Sequence, residues 1–378
     1  MKQKELGVYI HIPFCKQKCY YCDFISFANK CDEVPQYIES LKKEIKSFDF
    51  SNYKVTSIYI GGGTPSYVDS KYIKQILEEL KVRVKFDDIE ITIEINPGTV
   101  TEENLQEYKE AGINRVSIGL QSTNNNLLKQ IGRIHTYEEF LEVYQLANQI
   151  GFDNINVDLM LGLPQQTIQD LKESLDKIIE LNPNHISVYS LIIEEGTKIE
   201  KMLNKGEIFL PEEEQERRMY WYAKDTLELN GYNHYEISNF SKKGKESKHN
   251  MNCWNQEEYI GFGVAAHSYI NNIRFSNTNN IKEYIKNIKE NNSENNITIE
   301  EEQTIEDKKK EFMMLGFRKI EGVDISKFKE KFVDNPLFLY RGKLNKLTEE
   351  GLIEVDLNNI KLTNKGLDLA NLVFEEFI

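Results

Sequence analysis

The chain reads as an α/β protein whose first half winds a parallel sheet into a partial barrel. Two observations carry this reading. Strand-like and helix-like segments alternate from Val8 to Leu191, and the residue types capable of chemistry gather at the ends of the strands. Strands separated by helical crossovers run parallel, and right-handed crossovers curl them into a barrel or part of one. The expected form is a partial TIM-like (β/α)6 barrel followed by a small helical, winged-helix-like C-terminal domain.

The elements follow in order. Val8–Ile12 is a short apolar strand stopped by Pro13, and Pro35–Ser47 has helical periodicity. Ser57–Ile60 is a strand running into Gly61-Gly62-Gly63, and Lys71–Val84 is a helix. Glu90–Ile95 alternates as a strand does and stops at Asn96-Pro97-Gly98. Thr101–Ala111 is a helix closed by Gly112, and Arg115–Leu120 is a strand. Thr136-x-x-Glu139 has capping-box spacing ahead of a helix that ends at Ile150-Gly151. Asn154–Met160, Thr167–Leu181 and His185–Leu191 complete the set as strand, helix and strand.

The second half loses this alternation. Pro211–Asn230 is a charged helix, Tyr232–Ser238 a strand, and Asn279–Ile299 a polar linker or exposed helix. In the last segment, Leu344 to Gly366 reads as a helix running into a small β-wing. The expected division is a barrel over residues 1–208, an extension over 209–300 and a C-terminal helical domain over 301–378.

Bulk properties exclude several classes. The net charge of -14 opposes binding to a nucleic-acid backbone, which needs a positive surface. No apolar run reaches membrane-spanning length, and no signal-peptide pattern opens the chain, so a cytoplasmic location is expected. In that reducing setting five cysteines, three of them within eight residues, point to metal or catalysis rather than disulfides.

Those three, Cys15-x-x-x-Cys19-x-x-Cys22, directly follow the first strand. Thiolates are the natural ligands of iron–sulfur clusters, and three can hold three irons of a cubane while the fourth stays open. Spacing alone leaves other readings. Cys19 and Cys22 could form a redox pair. The set could hold structural zinc, with His11 or Cys31 as fourth ligand. Or the three could be free thiols.

Gly61-Gly62-Gly63-Thr64-Pro65 after the second strand resembles the loop of radical-SAM proteins whose backbone meets the methionine part of S-adenosylmethionine (SAM). The wider chain is similar to the HemN/HemW branch of that superfamily. The likeness runs from Tyr9-Ile10-His11-Ile12-Pro13-Phe14-Cys15 through Gly119-Leu120-Gln121-Ser122 and Asn156–Pro164 to His249-Asn250 and the C-terminal unit.

The resemblance implies a [4Fe–4S] cluster on Cys15, Cys19 and Cys22, with SAM chelated to the open iron. It implies that Tyr9 and Tyr21 flank the cluster and that Gly62, Gly63 and Thr64 meet the methionine part of SAM. Glu94, Gln121, Arg133 and Asp158 are then its polar contacts, and Ile192 packs by the adenine. An electron donor such as flavodoxin or ferredoxin is implied as well.

Within the branch, HemN-type enzymes decarboxylate coproporphyrinogen III, whereas HemW-type proteins carry haem to acceptor proteins, membrane-associated ones among them. Three features favour the carrier. Phe24 stands where the oxidases add a fourth cysteine, only eight residues precede Tyr9, and His249-Asn250-x-x-Cys253-Trp254 resembles the carrier's His-Asn-x-x-Tyr-Trp haem motif. The expected haem residues are His249, on a mobile loop, and Cys253, which replaces the motif's tyrosine and can itself ligate iron.

Overall fold

The structure is a computed structural model and describes residues 3–378. The alternation seen in the sequence becomes six parallel strands with helical crossovers. They are β1 (Lys4–Ile12), α1 (Val34–Ser47), β2 (Tyr53–Gly62), α2 (Ser70–Lys81), β3 (Glu90–Ile95), α3 (Glu102–Ala111) and β4 (Arg115–Gln121). Then come α4 (Tyr137–Ile150), β5 (Ile155–Leu161), α5 (Ile168–Leu181) and β6 (His185–Ser190). Each strand pairs in parallel with the next. The expected partial barrel is thus present.

Local signals place the helices. Thr101, Thr136 and Thr167 each cap a helix through a reciprocal capping box, with Asn104, Glu139 and Asp170 reaching back. Each box satisfies two backbone donors that would otherwise be orphaned at a helix start. Side chains alternate across each strand, so the two faces separate by chemistry. Ile10, Ile58, Ile60, Ile93, Ile118 and Val157 face the helices and are fully buried with Ile38 and Leu41 of α1. The alternate positions, Tyr9, Tyr59, Glu94, Ser117 and Asp158, face the barrel interior, which is therefore polar.

The second half docks on both edges of this sheet rather than standing apart. After α6 (Glu213–Leu229), β7 (Asn233–Glu236) and β8 (Asn239–Ser241) pair antiparallel beyond β6. Helix α7 (Lys248–Trp254) leads into β9 (Glu258–Phe262), which pairs in parallel with β1. β10 (His267–Ile270) and β11 (Ile273–Asn277) follow, then α8 (Ile281–Lys289) and β12 (Ile297–Glu302). The result is one twelve-stranded sheet in the order β12-β11-β10-β9-β1-β2-β3-β4-β5-β6-β8-β7. Of the stretch expected to be a linker or exposed helix, residues 281–289 instead form an amphipathic helix. Its Ile281, Tyr284, Ile285 and Ile288 are buried against α1, because apolar residues recur there at helical spacing amid the Asn and Lys.

The C-terminal unit has its own apolar core, including Phe312, Phe317, Phe328, Leu347 and Phe377. Its helices α9 (Ile305–Gly316), α10 (Ile325–Phe332) and α11 (Arg341–Glu349) precede a small hairpin. The hairpin joins β14 (Ile353–Val355) to β15 (Asn359–Leu362), and β13 (Val323–Asp324) completes a three-stranded sheet. The expected helix-into-wing pattern is present.

Glu44 of α1 ties the extension to the barrel. Its buried carboxylate accepts from the Gly263 amide (2.8 Å), the Tyr284 hydroxyl (2.6 Å) and the Asn277 amide (2.6 Å). Removing it strands three buried donors, each costing about 1–3 kcal/mol when unpaired. Glu44→Ala should destabilise the chain by about 2–4 kcal/mol in urea unfolding, whereas Glu39→Ala, an exposed site on the same helix, should stay within about 0.5 kcal/mol of wild type.

Candidate functional site

The loop after β1 carries Cys15, Cys19 and Cys22, and it is fixed at three points. His11 on β1 bonds through Nε2 to the Ile25 carbonyl at 2.9 Å, which makes its Nδ1 the acceptor for the Tyr9 hydroxyl at 3.0 Å. The Tyr20 amide donates to Ile131 and the Ile199 amide to Tyr20, seating the loop on a small apolar cluster that includes Leu127, Ile131 and Met160. At its start the loop meets the end of β2, where the Gly63 amide donates to Ile12 and the Thr64 amide to Phe14.

Glycine is required at that meeting. A Cβ on Gly63 would lie 2.9 Å from the Phe14 carbonyl oxygen and 3.0 Å from the Cys15 sulfur. Gly62 has φ +110°, and a Cβ there would strike the His11 ring at 2.5 Å.

A cavity of about 390 Å³ opens at this end of the barrel. Cys15, Cys19 and Cys22 line one side, Gly62, Gly63 and Thr64 another, and Glu94, Gln121, Arg133 and Asp158 the far wall. Tyr21 lines it too. Of the thirteen residues expected at the cluster and SAM, eleven therefore converge on one cavity at the C-terminal ends of the parallel strands, the face where such folds bind ligands.

Two do not. Tyr9 lies below the cavity, turned toward His11 and packed beside Tyr59 at a ring separation of 6.4 Å; it supports the loop from beneath. Ile192 is 66% exposed and lines a second cavity instead, because the chain turns outward after β6.

The wall residues are held by one another. Glu94 accepts from the Tyr59 hydroxyl at 2.9 Å and from the Gly62 amide at 3.2 Å. Asn96 donates to Thr64 Oγ1 at 3.0 Å, and Thr64 in turn lies 3.5 Å from the Cys15 sulfur. Arg133 donates to Asn96 at 2.8 Å, to the Gly119 carbonyl, and to the Cys19 sulfur at 3.6 Å, while its buried Nε has no partner among the described residues. Gln121 holds φ +75°, a left-handed conformation uncommon outside glycine and concentrated at ligand sites.

Electrostatics mark the same groups. Burial raises the Glu94 carboxyl from 4.5 to about 7, and the neighbouring Asp158 adds to the rise. Burial raises Asp158 as well. Burial, reinforced by Cys19, pushes the Cys22 thiol to about 11, and Cys15 is also raised by burial. Burial holds the protons on Cys15 and Cys22; a metal that binds thiolates would take the place of those protons. Three thiols on one loop, all lining one cavity, can each take a separate iron of a cubane. The residues fit the cluster.

The remaining sequence candidates lie elsewhere. Cys31 is exposed and bonded to the Tyr67 hydroxyl, away from the cavity. His267 pairs with Glu300 on the surface. His249 is not on a loop: it sits in α7, capped by Ser247, and is buried inside the barrel. Its Nδ1 bonds Ser57 Oγ at 3.0 Å, its ring packs on Tyr59 at 5.1 Å, and burial lowers its pKa to about 4.

Cys253, one turn further along that helix, lines the second cavity, of about 690 Å³, between the barrel and the C-terminal unit. Sequence reasoning missed Asn96, Tyr59 and Tyr189. Asn96 read as a turn residue, although it is the hinge of the Thr64–Arg133 network. Tyr59 and Tyr189 carry only the strand alternation as a signal.

The chain is similar to known proteins along its whole length. The radical SAM superfamily model matches residues 9–178, and the HemN C-terminal domain model matches 304–369. The heme chaperone HemW of Lactococcus lactis is 38% identical over 100% of this chain and 98% of its own length. The heme chaperone HemW of Bacillus subtilis is 38% identical over 98% and 99%. The solved structure of coproporphyrinogen III oxidase (HemN) from Escherichia coli, a radical SAM enzyme, superposes with a TM-score of 0.85. It is 24% identical, over 99% of this chain and 90% of that one, and shows a common fold.

Glu94 supplies a test of the cavity's electrostatics. A carboxyl raised to about 7 in the folded state favours folding least when ionised, so its penalty grows as pH rises from about 4.5 to 7 and is complete above. Glu94→Gln carries no such penalty. In urea unfolding of the metal-free protein, the stability of Glu94→Gln relative to wild type should improve by roughly 2–3 kcal/mol between pH 5 and pH 8. A pH-independent difference would show that Glu94 is not a buried, ionisable wall group.

Proposed function

Because the chain belongs to the HemW family of radical-SAM proteins, we propose that it works as a haem chaperone: it binds a [4Fe–4S] cluster, SAM and haem, and delivers haem to acceptor proteins. The observation that carries the first part is the convergence of the cysteine loop, the glycine loop and the Glu94–Arg133–Asp158 wall on one cavity.

In this reading Cys15, Cys19 and Cys22 hold the cluster, and Gly62, Gly63 and Thr64 offer backbone and hydroxyl to the methionine part of SAM. Glu94 and Asp158 suit a ligand amine and ribose hydroxyls, Arg133 suits a carboxylate, and Gln121 completes the polar wall. When bound, the cluster supplies one electron at a time to SAM. The chain's own part is to fix the ligand, keep one iron accessible and exclude bulk water behind Tyr21 and Met160. A small one-electron donor of the flavodoxin or ferredoxin kind would approach on the side of Phe24, which is 62% exposed beside the cysteines. The barrel (1–208) then serves the cluster and SAM, while the extension (209–300) and the C-terminal domain (301–378) serve haem.

Haem carriage rests on α7, which bears Asn250, Cys253 and Trp254 on the wall of the second cavity. The oxidase reading keeps the same fold, so chemistry must separate the two. Purified cluster-loaded protein should bind haem saturably, and with SAM and reductant it should leave coproporphyrinogen III unconverted. Conversion to protoporphyrinogen IX without saturable haem binding would establish the oxidase instead.

A further inference from the structure

Asp158 lines the first cavity, but its carboxylate is set from behind, by residues deeper in the barrel. Asn156 stands two residues earlier on β5, on the same face of the strand. Its register partners are Ser117 on β4 and His185 on β6. All three are buried, and Asn156 and His185 line neither large cavity.

Asn156 makes every hydrogen bond its amide allows. Its Nδ2 donates to Asp158 Oδ1 at 2.7 Å and to Ser117 Oγ at 2.8 Å. Its Oδ1 accepts from His185 Nδ1 at 2.6 Å and from Ser187 Oγ at 3.2 Å. Turning the amide over would set its oxygen against the Asp158 carboxylate, acceptor against acceptor, so the orientation is fixed. That orientation fixes the His185 tautomer in turn. Nδ1 carries the proton, and Nε2 is left to accept from the Tyr235 hydroxyl at 2.7 Å. Burial, with the Arg115 guanidinium nearby, holds His185 well below its ordinary pKa, so the imidazole is neutral, as this pairing needs. Tyr235, on β7, accepts from the Ser247 amide at 3.3 Å, which leaves its own proton for His185.

Every donor in this chain therefore points the same way, from Tyr235 through His185 and Asn156 to Asp158. Ser117 adds a branch: having accepted from Asn156, it donates to Asp158 Oδ2 at 3.4 Å. Two of the carboxylate's roughly four acceptor sites are thus filled from within the barrel. The others face the cavity, where a ligand's hydroxyl protons can meet them. Burial raises the Asp158 carboxyl, and the bond from Asn156 opposes that rise. A ligand without hydroxyls would leave this buried carboxylate edge unpaired, and a site built to bond a hydroxyl rejects the analogue that lacks it.

Resting on the reading above of Asp158 as a contact for ribose hydroxyls, we infer that Tyr235, His185 and Asn156 form a relay of donors that presents Asp158 as an acceptor and makes the first cavity selective for the intact ribose of SAM. None of the three touches the ligand; each is a positioning residue that acts through Asp158. His185 is the pivot, because its single proton decides which way the Asn156 amide points.

The test measures equilibrium binding of SAM, and of the SAM analogue whose ribose lacks both hydroxyls, to the full cluster-loaded chain, with iron content as a check on the cluster. Wild type should prefer SAM by about tenfold or more, the worth of a hydrogen bond to a charged group. His185→Leu frees the Asn156 amide to turn. It should weaken SAM by about fivefold to tenfold and leave the analogue within about twofold, with iron content unchanged. His185→Asn, whose Nδ2 can stand in for Nδ1 as the donor to Asn156, should recover most of the affinity for SAM. Asn156→Leu should abolish the preference for SAM. In an Asp158→Ala chain, adding His185→Leu should weaken SAM no further, since the relay then has nothing to present. Equal weakening of SAM and the analogue by His185→Leu, or the same loss with Asp158 absent, would reduce the relay to packing and overturn the inference. A wild-type chain that binds SAM no better than the analogue would instead sink the reading of Asp158 on which the inference rests.

Discussion

Two backbone hydrogen bonds, Gly63 to Ile12 and Thr64 to Phe14, hold the cysteine loop against the glycine loop, and the first cavity depends on them. They form only because no Cβ intervenes at Gly63. Once the loops are locked, the thiol of Cys15 lies beside Thr64, Asn96 bridges Thr64 to Arg133, and Arg133 reaches Cys19. A single chain of contacts thus runs from one side of the cysteine loop to the other across the strand ends. Side-chain alternation does the rest: it sends isoleucines and valines outward to the helices and leaves Tyr59, Glu94, Ser117 and Asp158 inside.

The polar interior has a second consequence. Helix α7 can sink one face into the barrel because Ser57, Glu90 and Tyr59 offer it partners there. Its other face then meets the C-terminal unit at the second cavity. The two cavities are therefore neighbours across Tyr189, and α7 braces both: its His249 packs on Tyr59, whose hydroxyl holds Glu94 in the first. The two cavities share a wall and a brace, which gives the chain a physical means of linking their occupancies.

Much of this was legible in the residues. The capping box at Thr136, and Gly112 and Gly151 at helix ends, are local signals, and the helices begin and end there. The site residues at strand ends could be placed because parallel strands put their C-terminal ends on one face. What could not be read was tertiary. Tyr9 has the right position in the chain, but its hydroxyl is captured by His11 because that imidazole is committed to Ile25. His249 lies in a polar stretch that reads as loop, and only the Ser247 cap and the partners inside the barrel make it a buried helical residue. Residues 281–289 look like linker by composition, and their four apolar side chains form a helix face only because α1 is there to cover it. Ile192 carries no local sign that the chain turns away from the first cavity at that point.

The central claim is that three cysteines hold a cluster with one iron left open to SAM. The most direct measurement is iron and sulfide content of the anaerobically reconstituted chain, followed by paramagnetic resonance of the reduced cluster with and without SAM. The account predicts about four irons and four sulfides per chain. It also predicts a resonance that shifts on adding SAM, and both properties should be kept by Cys31→Ala and lost on replacing Cys15, Cys19 or Cys22 by Ala. Stoichiometric zinc in place of iron, or a resonance unmoved by saturating SAM, would contradict it.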